Sequence, residues 1–191
     1  MKKVLAIMGS PRKNKNTNIL LDSVIKGLKD KDVIVKKVYL RDLEINHCIA
    51  CDYCAKTGKC KYSDDMVELY EEFNKSDGII IASPLYFNSV NSIIKTMIDR
   101  CQAYWSSKYV LNKPSIDVNK KRVGLFISAA GSPHRKDQFE GCIPVINLFF
   151  KAINTEYRYN LFLSNTDKID ALQREDKLEK AYNIGFNYFK E

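Results

Sequence analysis

The sequence contains no apolar run long enough to cross a membrane as a helix. Its longest apolar runs, at 78–82 and 143–150, fall far short of the ~20 residues that a spanning helix requires. No secretory cleavage pattern follows the basic start, and internal repeats, low-complexity tracts and linkers rich in Pro and Gly are absent. These absences predict a single cytoplasmic domain over residues 1–191, without a membrane partner.

Negative charge is scarce relative to positive charge. The chain has 31 Lys and Arg against 23 Asp and Glu, a net charge of +8, so it attracts anions such as nucleic acid, acidic proteins and phosphorylated cofactors. The positive residues are scattered, and no basic stripe interleaved with aromatic residues is present. Nucleic acid is therefore not an expected partner. A non-enzymatic nucleic-acid binder stays open as an alternative, and it would show a steep salt dependence.

Strand and helix patterns alternate along the chain. Short apolar runs typical of buried strands lie at 4–8, 33–40, 78–82, 122–128 and 157–163, with amphipathic helical patterns between and after them. This alternation predicts a flavodoxin-like, doubly wound α/β fold whose five-stranded parallel sheet has the order 2-1-3-4-5 and helices on both faces. Two local details are also predicted. Ser83-Pro84 ends the third strand, and Asp65 with Glu68 forms a capping box at a helix start.

The loop after the first strand lacks both common nucleotide-binding motifs. Residues 9–18, Gly-Ser-Pro-Arg-Lys-Asn-Lys-Asn-Thr-Asn, have neither the Gly-Lys-Ser/Thr ending of a P-loop nor G-x-G-x-x-G. The loop nevertheless joins a strand to a helix N-terminus, where backbone N–H groups face an anion. Ser10, Asn16 and Thr17 add neutral donors and Arg12 adds a charged one. The pattern predicts a monophosphate site, with an ordinary polar loop as the alternative.

Two loop motifs together resemble the NAD(P)H-dependent FMN reductase superfamily. Gly9-Ser-Pro-Arg followed by Asn16-Thr17, and 83–90 (Ser-Pro-Leu-Tyr-Phe-Asn-Ser-Val) leading to Ile98-Asp-Arg100, match in order and spacing over the first two-thirds of the chain. The resemblance implies that the first loop holds the FMN phosphate through Ser10, Arg12, Asn16 and Thr17. It implies that the second loop follows the ribityl chain and flavin ring through Pro84, Leu85, Tyr86, Phe87, Asn88 and Ser89. Alternatively, Tyr86 and Phe87 only anchor this loop in the core.

A third loop follows the fourth predicted strand. We expect 128–132, Ser-Ala-Ala-Gly-Ser, to approach the flavin with backbone N–H groups at Ala130 and Gly131. The loop departs from the family's usual glycine pair followed by Gly-Gln-Glu, because 133–136 intervene before Gln138. His134 in this insertion is expected to be an exposed loop residue.

Four of the six cysteines lie close together, as Cys48-x2-Cys51-x2-Cys54-x5-Cys60 in an insertion at about 44–64. In a cytosolic chain such a cluster predicts a metal site rather than a disulfide framework. Three thiols at three-residue intervals can each reach a different iron of a cubane cluster, and Gly58 permits the turn that brings back the fourth. The other two cysteines, Cys101 and Cys142, fall on apolar helix faces and are expected to be small buried hydrophobes.

The same spacing resembles the iron-sulfur flavoprotein family, a branch of the FMN reductases. The resemblance implies that Cys48, Cys51, Cys54 and Cys60 hold a 4Fe-4S cluster beside the flavin of a neighbouring subunit, in a homodimer or homotetramer. It implies an oxidoreductase that passes electrons between FMN, the cluster and a ferredoxin or similar acidic carrier, with NAD(P)H as a further candidate. The cofactors carry the chemistry, so no catalytic acid–base pair is predicted.

Two alternatives to this cluster assignment stay open. The same cysteines could bind zinc, with His47 as a substitute ligand. The loop could instead hold no metal at all. In that case the protein would reduce free flavin or quinones through FMN alone.

Overall fold

The computed structural model describes residues 1–190, and a parallel sheet forms its centre. The sheet has the order β2-β1-β3-β5-β6. Its strands are β1 Lys3–Met8, β2 Ile34–Tyr39, β3 Gly78–Tyr86, β5 Arg122–Ala129 and β6 Thr155–Leu163. A two-residue strand, β4 Ser89–Val90, pairs antiparallel with the end of β3. Without β4 the order is the predicted 2-1-3-4-5, so the flavodoxin-like fold is confirmed.

Seven α-helices connect these strands in the part of the chain that the structure describes. They are α1 Asn16–Lys29, α2 Tyr53–Thr57, α3 Met66–Lys75, α4 Ser92–Arg100, α5 Gln102–Trp105, α6 Ile143–Ala152 and α7 Glu175–Phe186. A π-helical turn, Ser106–Val110, follows α5. None of the described helices combines the length and apolar character that a membrane span requires.

The sheet separates two apolar cores. Alternate residues of β1 face opposite sides, so Val4, Ala6 and Met8 pack with α1 and α7, whereas Leu5 and Ile7 pack with α3, α4 and α6. The backbones of α1 and α7 touch at glycines. A Cβ on Gly27 would collide with the Tyr182 carbonyl, and one on Gly185 with the Val24 carbonyl. The first core therefore depends on a close crossing of α1 and α7, in which no residue larger than glycine fits at Gly27 or Gly185.

Two local predictions were wrong. Ser83-Pro84 does not end β3, which runs on to Tyr86 because Leu85 and Tyr86 pair with β4 in a hairpin. Its two turn residues, Phe87 and Asn88, are both left-handed, with φ of 49° and 55°, as a two-residue type I′ turn requires.

The predicted capping box at α3 does not form. Asp65 precedes the helix, but its carboxylate accepts a hydrogen bond from the Glu44 N–H (2.7 Å) instead of capping the helix. The neighbouring Asp64 accepts from the Met66 N–H (3.2 Å). A tertiary contact to the start of the cysteine loop has therefore replaced the local contact that the sequence pattern predicted.

Candidate functional site

A cleft of about 580 Å³ opens at the carboxyl ends of β1, β3 and β5. This is the edge at which doubly wound sheets bind ligands. Most of the predicted flavin residues line it, namely Ser10, Arg12, Asn16, Thr17, Pro84, Leu85, Tyr86 and Gly131. The fold thus brings the first two predicted loops, and one residue of the third, to one place.

The loop at 9–15 presents an open helix N-terminus to this cleft. The Ser10 hydroxyl accepts a hydrogen bond from the Arg12 N–H (3.2 Å) and so bends the loop back on itself. No side chain caps the start of α1, and no acidic residue lies in its first turn. The first N–H groups of α1 and the positive end of its dipole are therefore available to an anion.

Asn91 ties the first two loops together, and the sequence analysis missed it. Its side-chain amide donates to the Gly9 carbonyl (2.6 Å), and its side-chain oxygen accepts from the Ile94 N–H as the N-cap of α4 (3.4 Å). Ser83 accepts from the Asn91 backbone N–H (3.2 Å). Asn91 is buried, so these bonds fix both loops to the start of α4.

A fourth loop, after β6, was also missed. Thr166, Asp167, Lys168, Asp170 and Gln173 line the cleft, as do Lys15 and Ala129. The Thr166 and Asp167 N–H groups donate to the carbonyls of Ala130 and Gly131 (3.1 and 3.2 Å). The side-chain oxygen of Asn16 accepts from the Ala171 N–H (2.7 Å). The order of the elements could have identified this loop, because the last strand ends at the same edge of the sheet.

Four predicted flavin residues do not line the cleft. Phe87 and Asn88 form the hairpin turn, and the Phe87 side chain is completely exposed. Ser89 lies in β4, and Ala130 is a buried residue of the third loop. Their contacts with a flavin stay predictions.

All four clustered cysteines line a second cavity, of about 360 Å³, together with Tyr62, Asp99, Arg100 and Gln102. Within residues 1–190, no three His, Cys, Asp or Glu side chains lie close enough together to hold a single metal ion. His47 is exposed and does not line this cavity. The structure therefore gathers the predicted cysteines without closing them around one ion.

The backbone of the cysteine loop is unusual around Cys51. Ala50 and Asp52 both adopt left-handed conformations, with φ of 51° and 55°, which cost energy for residues other than glycine. Gly58 ends α2 with φ of 72°, and a Cβ there would lie only 3.3 Å from the Cβ of Ser107. Glycine at this position therefore permits the predicted return of the chain toward Cys60.

A buried ion pair fastens this loop to α4. One Arg100 nitrogen lies 2.6 Å from Asp64 and also donates to the Asn46 carbonyl (2.9 Å). Burial raises the pKa of the Asp64 carboxyl, but hydrogen bonds from Arg100 and Asn46 outweigh burial and lower the pKa to about 2. Arg100 thus holds both ends of the loop, at Asn46 and at Asp64.

Two hydrogen-bond donors lie beside the cysteines. The Ser106 hydroxyl donates to the Cys54 sulfur at 3.5 Å. Burial lowers the pKa of Arg100, but its interactions with Asp64 and Cys60 outweigh burial and raise the pKa above its usual value. The Nε of Arg100 is buried and has no hydrogen-bond partner.

The two remaining cysteines are buried, as predicted. Cys101 and Cys142 pack in the core beneath α4 and α6. Burial raises the pKa of the Cys142 thiol to about 12 and that of Cys101 still higher. Both are therefore protonated and unreactive at neutral pH.

A doubly wound parallel sheet with an uncapped helix N-terminus in an open cleft defines a flavodoxin-like cofactor-binding protein. Residues 2–141 match the family model of the NADPH-dependent FMN reductases. The chain belongs to the NADPH-dependent FMN reductase family.

The curated relatives of the chain are named iron-sulfur flavoproteins, which confirms the second resemblance. One from Archaeoglobus fulgidus is 40% identical over 102 residues, which cover 53% of this chain and 46% of the relative. Another from the same organism is 35% identical over 128 residues, which cover 67% of this chain and 62% of the relative. The chain thus spans about half the length of the curated relatives it matches.

Solved structures support the fold. An NAD(P)H:quinone oxidoreductase from Methanothermobacter marburgensis superposes with a TM-score of 0.74 at 14% identity, covering 100% of this chain and 98% of that one. An FMN-dependent NADH-azoreductase from Bacillus anthracis, in complex with FMN, superposes with a TM-score of 0.71 at 17% identity, covering 98% and 97%. At these identities the likeness concerns the fold alone.

Proposed function

We propose that this protein is an FMN-dependent oxidoreductase that passes electrons between FMN, a 4Fe-4S cluster and a small acidic carrier such as ferredoxin. The observation that carries the proposal is the gathering of Cys48, Cys51, Cys54 and Cys60 around one cavity, in a chain of the FMN reductase family. The names of its curated relatives support the same function.

The first cleft suits FMN. Its phosphate would lie at the open N-terminus of α1, where Ser10 and Thr17 offer hydroxyls and Arg12 offers a charged, bidentate donor. The flavin would lie along 84–86, where Tyr86 is about half exposed and offers an aromatic face. The residues present thus match the phosphate and the flavin ring of the cofactor.

The second cavity suits a four-iron cluster better than a single ion. Around one zinc ion four sulfurs converge on the same atom, whereas in a cubane each thiolate binds a different iron and the sulfurs lie further apart. Four cysteines that line one cavity could each offer a thiolate to a different iron, which is the second arrangement. The unpaired Nε of Arg100 adds a buried donor for a negatively charged group.

Bound FMN supplies two-electron chemistry and the cluster supplies one-electron chemistry, while the chain supplies position. Asn91, the N-cap of α4, holds the loop at 9–15 (the phosphate loop), and Arg100, the last residue of α4, holds the cysteine loop. The nine residues of α4 make it about 14 Å long at 1.5 Å per residue. The helix therefore fixes the two cavities relative to each other within one subunit.

A second candidate is an NAD(P)H-dependent reductase of quinones or related molecules that uses FMN alone. The family model of the NADPH-dependent FMN reductases, which matches residues 2–141, favours it. In this case the cysteine loop would have no redox role.

Replacement of one cysteine distinguishes the two candidates. Cys54→Ala should abolish iron binding and leave FMN bound, because the cysteine cavity and the flavin cleft share no lining residue. Cys142→Ala is the matched control, since Cys142 is buried in the core, and it should keep both cofactors. Iron and flavin are measured per chain after anaerobic purification. Unchanged iron content in Cys54→Ala would rule out the cluster assignment.

A further inference from the structure

Ser106 is a buried hydrogen-bond donor to one of the clustered cysteines. It begins the π-helical turn after α5, is 2% exposed, and donates to the Cys54 sulfur at 3.5 Å. Its neighbour Ser107 is equally buried but donates to the Tyr104 carbonyl (2.9 Å) and accepts from Ser115. The turn thus directs one serine of the pair to the cysteine cavity and the other to the chain's own backbone.

Arg100 has one unpaired hydrogen-bond donor at the same cavity. Its two terminal nitrogens are occupied by Asp64 and the Asn46 carbonyl, but its Nε has no partner although the side chain is 1% exposed. An unsatisfied buried N–H is costly, so such a group is expected to have an acceptor in the working protein. Cys60 lines the same cavity as Arg100.

We propose that Ser106 and Arg100 act as hydrogen-bond donors to the cluster ligands Cys54 and Cys60, and that these bonds raise the reduction potential of the cluster. The inference rests on the proposed function, because it requires the cluster to be bound. Reduction adds negative charge to the cluster and its thiolates. A donor to a ligand sulfur therefore stabilises the reduced form more than the oxidised form.

The pair of adjacent serines provides the cleaner test. In anaerobically purified holoprotein, Ser106→Ala should bind the full amount of iron but have a lower cluster midpoint potential than the wild type. A tenfold change in the one-electron equilibrium constant corresponds to about 59 mV, and we expect a shift of up to that size. Ser107→Ala, which removes an equally buried hydroxyl, should leave the potential unchanged. The potential is measured by redox titration followed through the electron paramagnetic resonance signal of the reduced cluster.

The Arg100–Asp64 pair provides the second test. Arg100→Lys keeps the charge but removes the Nε donor, and it should lower the potential. Asp64→Asn breaks the same ion pair from the other side and keeps Nε, so the potential should stay the same or rise, because a negative charge has been removed. Loss of the cluster from Arg100→Lys but not from Asp64→Asn also supports a contact between Arg100 and the cluster ligands, since neither variant keeps the bidentate pair with Asp64.

The outcomes separate this inference from the function on which it rests. A wild-type protein without iron overturns the proposed function and the inference with it. A full cluster whose potential is the same in wild type, Ser106→Ala and Arg100→Lys overturns the inference alone. A similar fall in potential, or a similar loss of iron, in Arg100→Lys and Asp64→Asn would show that the ion pair only supports the loop, and would overturn the role of Arg100.

Discussion

The charged residues of the two cavities differ in how far they are buried. The flavin cleft carries exposed charges, among them Arg12, Lys15 and Asp167, whereas the cysteine cavity depends on the buried pair of Arg100 and Asp64. An exposed charge contributes little to folding but is available to a ligand. A buried pair costs several kcal/mol when one partner is removed. Substitutions in the cleft should therefore affect binding, and those at the pair should affect stability.

Arg12→Ala should weaken FMN binding. The variant loses a charge-assisted contact to the phosphate, which is worth roughly 1.5 to 3 kcal/mol, or about tenfold to a hundredfold in the dissociation constant. Lys13→Ala is the matched control, since Lys13 contacts Asp42 (3.3 Å) and does not line the cleft. Titration of the flavin-free protein with FMN measures both. Equal affinities in wild type and Arg12→Ala would place the phosphate elsewhere.

Asp64 should make the protein sensitive to acid. Its folded pKa of about 2 lies below the ordinary value of 3.8, so its stabilising effect is complete above about pH 4 and disappears as the pH falls toward 2. The effect is on the order of 2 kcal/mol. Urea unfolding of cluster-free protein is measured at several pH values. The free energies of unfolding of wild type and Asp64→Asn should become equal as the pH falls.

The exposed pair of Asp99 and Lys95 supplies the control for this measurement. Asp99→Asn should change the free energy of unfolding by less than about 1 kcal/mol. A stability difference between wild type and Asp64→Asn that is constant from pH 5 to pH 2 would contradict the assignment of the low pKa to Asp64.

The predicted residues that the structure brings to the cleft lie close to the end of a strand in the sequence. Ser10, Arg12 and Thr17 lie in the loop and helix start that follow β1. Their place at this edge of the sheet could therefore be predicted from the order of the elements. The sequence analysis missed Asn91 and Asp167 because their partners, Gly9 and Gly131, are far away in sequence. The cap at Asp65 was wrongly predicted for the same reason, since a distant N–H group competes for its carboxylate.

Among the elements, α4 connects the two cavities. The sequence predicted a helical pattern between the third and fourth predicted strands, and the structure has α4 there at Ser92–Arg100. The hairpin of β3 and β4 was not predicted, because Pro84 usually ends a strand and Phe87 is not typical of a type I′ turn. Strand order, in contrast, followed from the alternation of elements.

Asn91→Ala should weaken both the start of α4 and the loop that Asn91 ties to it. The variant loses the helix cap and leaves the Gly9 carbonyl without its donor, so the free energy of unfolding should fall by about 1 to 3 kcal/mol. FMN affinity should fall as well, because the phosphate loop is no longer tied to the helix. Ser92→Ala, one residue further along and exposed, should change neither. An Asn91→Ala protein with unchanged FMN affinity would show that the loop holds its shape without the helix.

On the scale of the whole molecule, we expect a homo-oligomer. Cys48 and Cys51 are exposed in the single chain, and a cluster bound there would be open to solvent unless a second subunit covers it. Sedimentation of the protein with its cofactors bound should give a dimer or tetramer of the 22.0 kDa chain. A monomer with full iron and flavin content would contradict this expectation.

The net charge of +8 should guide an acidic electron carrier to the cysteine cavity. Lys56, Lys59 and Lys61 are exposed and interleaved with the cysteines. Electron exchange with ferredoxin should slow steeply as salt rises, and Lys56→Glu with Lys59→Glu should slow it at low salt. Lys29→Glu with Lys180→Glu, the same charge change on α1 and α7, is the control. Equal rates in the two double variants would show that only the total charge matters.

The cofactor content of the anaerobically purified protein tests the central claim most directly. If the four cysteines hold a cubane cluster in an FMN-binding chain, analysis should give four iron ions, four sulfide ions and one FMN per chain. The visible spectrum should show a broad cluster shoulder in addition to the flavin bands. One FMN without iron and sulfide, or one zinc ion per chain, would contradict the account.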